Sequence, residues 1–187
     1  MIGDFWTHIQ VMADRRLCTT CRETESIDHI TTQCRSLPAR LVWRYAKDTW
    51  PHRNIPWLEI SLGLILGSGC LSVPQDDDRQ QNTRNAYILG ATCLLHILVS
   101  EAAYLIWVLC CERVIQEKNH SESEIRSRWL RVINRRLTND KNAAKKKRKK
   151  GFTNLVVNTW EQVLSKERVL PNNWINTREV LVGSRTR

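Results

Sequence analysis

No secretory leader is expected. The first residues, MIGDFWTHIQVMADRR, have neither the apolar core nor the small-residue cleavage site of a signal peptide. The seven cysteines are therefore expected among reduced thiols, and an odd count argues against a closed disulfide framework. The sequence also lacks a charge-free run of membrane-spanning length. The most apolar segment, NAYILGATCLLHILVSEAAYLIWVLCCERVIQEK, has sixteen residues free of Asp, Glu, Lys and Arg before Glu101, and His96 and Glu101 fall near its middle. A span needs about twenty apolar residues, and an acid at its centre costs about 3 kcal/mol. This reads as a buried core helix, and no membrane partner is expected. Phenylalanine is scarce, with two residues beside eight tryptophans spread from Trp6 to Trp174. Tryptophans so dispersed are expected to anchor helix packing rather than stack on bases.

What is abundant is positive charge, in one place. The chain carries +10, and the decamer KNAAKKKRKK, Lys141 to Lys150, holds seven Lys and Arg and no acid, leaving +3 for the other 177 residues. A point patch suggests an anionic partner or a targeting signal rather than a basic face running through the fold. Three readings stand side by side: phosphate contacts by Lys145, Lys146, Lys147, Arg148, Lys149 and Lys150, a nuclear localisation signal, or a solvated linker. Seven phosphate contacts would give a salt slope of log K near about −6.

Apolar spacing predicts the elements. Ile2, Phe5, Trp6, Ile9 and Met12 recur as on a short amphipathic helix over residues 1–17. Leu41, Val42, Tyr45, Ala46 and Trp50 predict a helix from Leu37 that Pro51 stops. Residues 51–84 read as an irregular connection ending in an exposed loop at Asp76, Asp77 and Asp78, a solvated loop rather than a metal site. Ser121 or Ser123 caps a helix whose stripe is Ile125, Trp129, Val132, Ile133 and Leu137, antiparallel to the long apolar helix. Leu155, Val156, Thr159, Trp160, Val163 and Leu164 share the face of a last helix that Pro171 ends, followed by a tail of sixteen residues. His8, His52, His96 and His120 have no Ser or Cys partner by spacing and read as surface or core residues.

The stretch CTTCRETESIDHITTQC spaces its chemistry as Cys18-x2-Cys21-x7-His29-x4-Cys34. A C-x2-C turn supplies two thiolates from one knuckle, and His29 and Cys34 complete a tetrahedral zinc set. Thr24 or Ser26 can cap a short helix that carries His29, with Glu25 or Asp28 in its first turn. Ile27, Ile30 and Leu37 are the apolar residues at hand, too few to fold alone, whereas structural zinc supplies about 10 to 16 kcal/mol of apparent binding energy. The metal would be structural, with no open position for a substrate. The bland alternative makes these incidental thiols and a surface histidine. Cys70, Cys93, Cys110 and Cys111, in apolar surroundings, read as small core residues.

The C-x2-C pair, the ETESIDHI block and the following x3-C resemble the zinc-binding domain downstream of the reverse transcriptase and ribonuclease H regions in non-LTR retrotransposon polyproteins, particularly fungal ones. DFWTHI, the W-x6-W helix, ILVSEAAYLIWVLCCERVI, SEIRSRWLRVINRRL and LPNNWINTREVLVG extend the resemblance over nearly the whole chain. It implies Cys18, Cys21, His29 and Cys34 as Zn2+ ligands, and reverse transcriptase or ribonuclease H domains of the same element, with RNA or DNA, as partners. The gap before His29 differs from the four residues of a retroviral nucleocapsid knuckle. The chain has no aspartate pair for polymerisation and no carboxylate set for ribonuclease H work, so no enzyme activity is expected. A nuclear or cytoplasmic, non-secreted, mainly α protein is expected. Its zinc module with lead-in occupies 1–36, a helical domain with one long buried helix 37–140, a basic linker 141–150, and a C-terminal helix and tail 151–187. The alternatives are a helical protein–protein interaction domain or an inactive retroelement remnant.

Overall fold

A computed structural model describes residues 2–73, 81–147 and 149–183. The described chain is mostly helical and contains no strands, and its long apolar segment forms one long helix. The elements are α1 (Ile2–Thr7), α2 (Leu37–Thr49), α3 (Leu62–Leu66), α4 (Gln81–Gln116), α5 (Glu122–Lys147) and α6 (Lys150–Trp160), joined by short 3-10 and π turns. The aspartates at 76–78 and Arg148 lie outside the described residues.

The spine is α4. By length and composition it could cross a membrane, yet Leu94, Leu98, Val99, Ala102 and Leu109 are fully covered. Different elements cover it along its length. The lead-in and metal-ligand segments cover its C-terminal end, α2 its middle, and α6 its N-terminal half. Where α6 crosses, a Cβ on Gly90 would stand 2.5 Å from the Asn158 carbonyl oxygen, so only glycine permits this approach. The segment after Pro51, expected as an irregular connection, covers another flank of α4. Trp50, Trp57, Leu64, Ile65, Leu71 and Val73 pack on Ile88, Ala91, Leu95 and Val99. Its polar groups pair as it crosses, with Val73 N donating to Thr92 Oγ1 (3.1 Å) and His96 Nε2 lying 2.7 Å from the Leu71 carbonyl.

The helix starts follow the sequence. Pro38 sits in the first turn of α2, which ends before Pro51 as expected. Ser121, one of the two expected caps, accepts from Glu124 N at 3.3 Å and opens α5. Ile125, Trp129, Ile133 and Leu137 bury the expected stripe. It lies mainly against α2 and α6 rather than only against α4. The stripe runs on through Lys141 and Ala144, so the segment read as a basic linker continues α5 to Lys147. Lys141 is buried with its Nζ on the Thr177 carbonyl at 2.7 Å.

The C-terminal end departs furthest from expectation. α6 stops at Trp160, well before Pro171, and Gln162 and Lys166 take left-handed backbone conformations (φ 72° and 56°). The chain then returns to pair Leu164 with Val182 in an antiparallel bridge. The expected tail is thus part of the core. Trp174, Ile175, Val180 and Val182 are buried, and Val182 N donates to Asn134 Oδ1 of α5 at 2.7 Å. The tryptophans serve packing as expected. Trp129, Trp160 and Trp174 are buried, and the indoles of Trp43, Trp50 and Trp160 donate to Thr31 O, Ile55 O and Asp140 Oδ2.

Candidate metal centre

The four expected ligands come together. The donor atoms of Cys18, Cys21, His29 and Cys34 all lie within 4.8 Å of one another. Local backbone explains how. Leu17 and Thr24 pair as an antiparallel bridge, Cys18 N donates to Glu23 O (2.8 Å), and Arg22 turns the chain with a left-handed φ of 63°. That turn presents Cys18 and Cys21 from one knuckle. Ser26 then accepts from His29 N at 3.0 Å, fulfilling one of the two expected caps, while Asp28 instead binds Thr32 Oγ1 and Gln33 Nε2. A single π turn, His29–Gln33, closes with Cys34 N on His29 O at 2.7 Å. The wider turn sets His29 and Cys34 five residues apart on one side.

Chemistry at the cluster asks for a cation. Cys18 Sγ and Cys34 Sγ are 3.8 Å apart and Cys21 Sγ and Cys34 Sγ 4.0 Å, and all three cysteines are free, so no disulfide joins them. Arg35 N points at Cys21 Sγ from 3.2 Å, a donor suited to a thiolate. The His29 ring is 2% exposed, and neither of its nitrogens has a hydrogen-bond partner. Nδ1 lies 3.3 Å from Glu23 Oε2, close enough for ion attraction though outside hydrogen-bond alignment. A carboxylate beside one ring nitrogen is how metal-bound imidazoles are commonly oriented. A buried imidazole without partners costs free energy that a metal bond removes.

Two residues that the sequence did not announce complete the surroundings. Arg113, on α4, brings its Nη2 to 3.6 Å from Cys18 Sγ and 3.3 Å from Glu25 Oε1, and its Nη1 to 3.0 Å from Thr20 Oγ1. Glu25, expected in a helical first turn, is instead 2% exposed and forms a buried ion pair with Arg113. Cys110 lies next to them. Burial, and then the Glu25 carboxylate, pushes its thiol up to about 12, and it is not among the four clustered donors. Of the four cysteines expected in the core, Cys93, Cys110 and Cys111 are half-buried and Cys70 is exposed, because Ser68–Cys70 forms a surface turn.

The other histidines have structural surroundings. His120 is buried, its Nε2 3.0 Å from Glu112 and its Nδ1 3.1 Å from Glu124, where it joins α4 to α5. His52 Nδ1 lies 2.7 Å from Tyr87 Oη. The basic residues Lys145, Lys146, Lys147, Lys149 and Lys150 are all exposed and far along the chain from the metal cluster. The comparisons find no matching protein-family model, curated protein or solved structure.

Proposed function

We propose that this chain is a zinc-held, non-catalytic helical region of a retrotransposon reverse transcriptase polyprotein that serves as a nucleic-acid-binding or assembly accessory. The observation that carries the reading is the Cys18, Cys21, His29 and Cys34 cluster, whose spacing carries the resemblance and whose donors fit the ion. With zinc–sulfur bonds of about 2.3 Å, sulfurs at two corners of a tetrahedron stand about 3.8 Å apart. The separations of 3.8 and 4.0 Å match that figure. Zinc bound by four protein donors has no open coordination position, so its contribution is to hold the fold.

This chain's own residues do the rest. The knuckle, the π turn and Arg113 fasten the N-terminal fifth of the chain to α4. The exposed lysines at the end of α5 supply charge for phosphate. A nuclear or cytoplasmic location, free thiols and the absence of an enzymatic role belong to the same reading.

Native mass spectrometry of the wild type, Cys18→Ser and Cys34→Ser tests it. One zinc per wild-type chain, lost from both variants, is the expected outcome. A folded wild type without zinc would overturn the metal and leave a helical interaction domain as the better account.

A further inference from the structure

The chain's net charge resides in one stretch, most of which is α5. Residues 126–150 contain twelve Lys and Arg and one acid, Asp140, so this stretch carries +11 and the remainder of the chain −1. The structure turns that composition into a surface. α5 continues unbroken from Glu122 to Lys147, which places its arginines and Lys145, Lys146 and Lys147 on one rod. At 100° per residue, Arg131, Arg135, Asn142, Lys145 and Lys146 fall opposite the packed seam of Ile125 to Ala144, and all five are exposed. Thr138 and Asn139, exposed between them, add neutral polar groups.

The acids that could spoil this surface are engaged elsewhere. Asp140 accepts from the Trp160 indole at 3.0 Å and pairs with Arg136. At the upstream end Glu112 is matched by Arg128 and His120, and Glu124 by Lys118 and His120.

We propose that the solvent face of α5 is a continuous track for the phosphate backbone of a nucleic-acid duplex, with Arg131 and Arg135 as one half and Lys145 and Lys146 as the other. This rests on the nucleic-acid reading above and names its mode. The track from Arg131 to Lys146 is about 22 Å long, which faces about a dozen phosphate charges of a duplex. A membrane surface fits less well, because α5 has no exposed large apolar side chain to insert between lipids. Lysines on a loose linker would bind through the decamer alone. A rigid helix enlists arginines fifteen residues upstream.

The test is fluorescence anisotropy of the zinc-loaded full chain with a labelled 20-base-pair DNA duplex, as a function of salt. Three chains are compared: wild type, Arg131→Gln/Arg135→Gln and Lys145→Gln/Lys146→Gln. All four positions are exposed, and circular dichroism checks that helix content is kept. Each double variant is expected to make the slope of log K against log salt shallower by about 2, as each lost phosphate contact removes about 1. An unchanged slope in Arg131→Gln/Arg135→Gln, with a shallower one in Lys145→Gln/Lys146→Gln, would overturn the track and leave the accessory reading standing. No binding by the wild type would overturn the track and the nucleic-acid reading together and leave the assembly-accessory reading. Equal binding to phosphatidylserine vesicles, competing with the duplex, would overturn nucleic acid as the occupant.

Discussion

Arg113 shows what a single side chain contributes at the metal cluster. On the proposed zinc reading, three thiolate ligands and a neutral imidazole around a divalent ion would leave one negative charge, which the guanidinium 3.6 Å from Cys18 Sγ would offset. Arg113→Met is therefore expected to weaken zinc binding by about 10- to 100-fold in competition with a chromophoric chelator, with Arg113→Lys restoring part of the loss. Unchanged affinity in Arg113→Met would reduce the residue to packing. The four donors could be read from the sequence because they lie within seventeen residues and their spacing is set by local turns. Arg113 could not, since it sits in an apolar helix 95 residues downstream of Cys18 and only the tertiary fold brings the two together. Glu25 was placed in a helical turn for its charge. Its actual partner lay beyond the reach of a local argument.

Among the helices, α6 crosses α4 closely at Gly90. Gly90→Ala would drive a methyl into the Asn158 backbone, and overpacking of this kind costs about 1 to 3 kcal/mol. Urea unfolding should show that loss for Gly90→Ala and little change for Gly69→Ala, whose Cβ meets nothing within 4 Å. Equal stability of the two variants would mean that the helices separate at no cost. Helices with a clear stripe and a stop signal were legible, as α2 before Pro51 and the Ser121-capped start of α5 show. The lysine run misled because like charges suggest a solvated linker. Ala144, the buried stem of Lys141, and the contact of Lys147 Nζ with the Phe152 ring at 4.3 Å instead keep residues 141–147 helical and docked. The last thirty residues carry apolar side chains without a helical or alternating period. They are held by the Leu164–Val182 bridge and by hydrogen bonds with Lys141 and Asn134 of α5, which no periodicity reveals.

Across the whole molecule, side chains from Cys18 to Val182 join one hydrophobic cluster, so the metal module shares its core with the helices. Removing the metal should therefore be felt beyond the knuckle. Hydrogen exchange after chelation is expected to lose protection over residues 14–35 and the C-terminal turns of α4 while α5 and α6 keep theirs. Uniform loss over the chain would show that the helices cannot stand without the ion, and no loss would show that the cluster holds nothing together. The mainly helical architecture was expected from the sequence. The continuity of its core was not, because a composition shift at Lys141 suggests a boundary that the packing of Lys141 against Thr177 closes.

The reach of Arg113 has a consequence in time as well as in energy. The ligands close a loop of seventeen residues, so an ion can be captured as soon as that short segment leaves the ribosome. Fastening the captured module to α4 closes a loop of about 95 residues and costs about 1.5 kcal/mol more in chain entropy. The nascent chain would thus carry a metal-loaded knuckle on a tether, without the Arg113 guanidinium beside Cys18, until α4 has been made. On the proposed reading, metal capture would be a local event and the contact with Arg113 a late one, so a loaded site would be at its most exposed to competing chelators during synthesis.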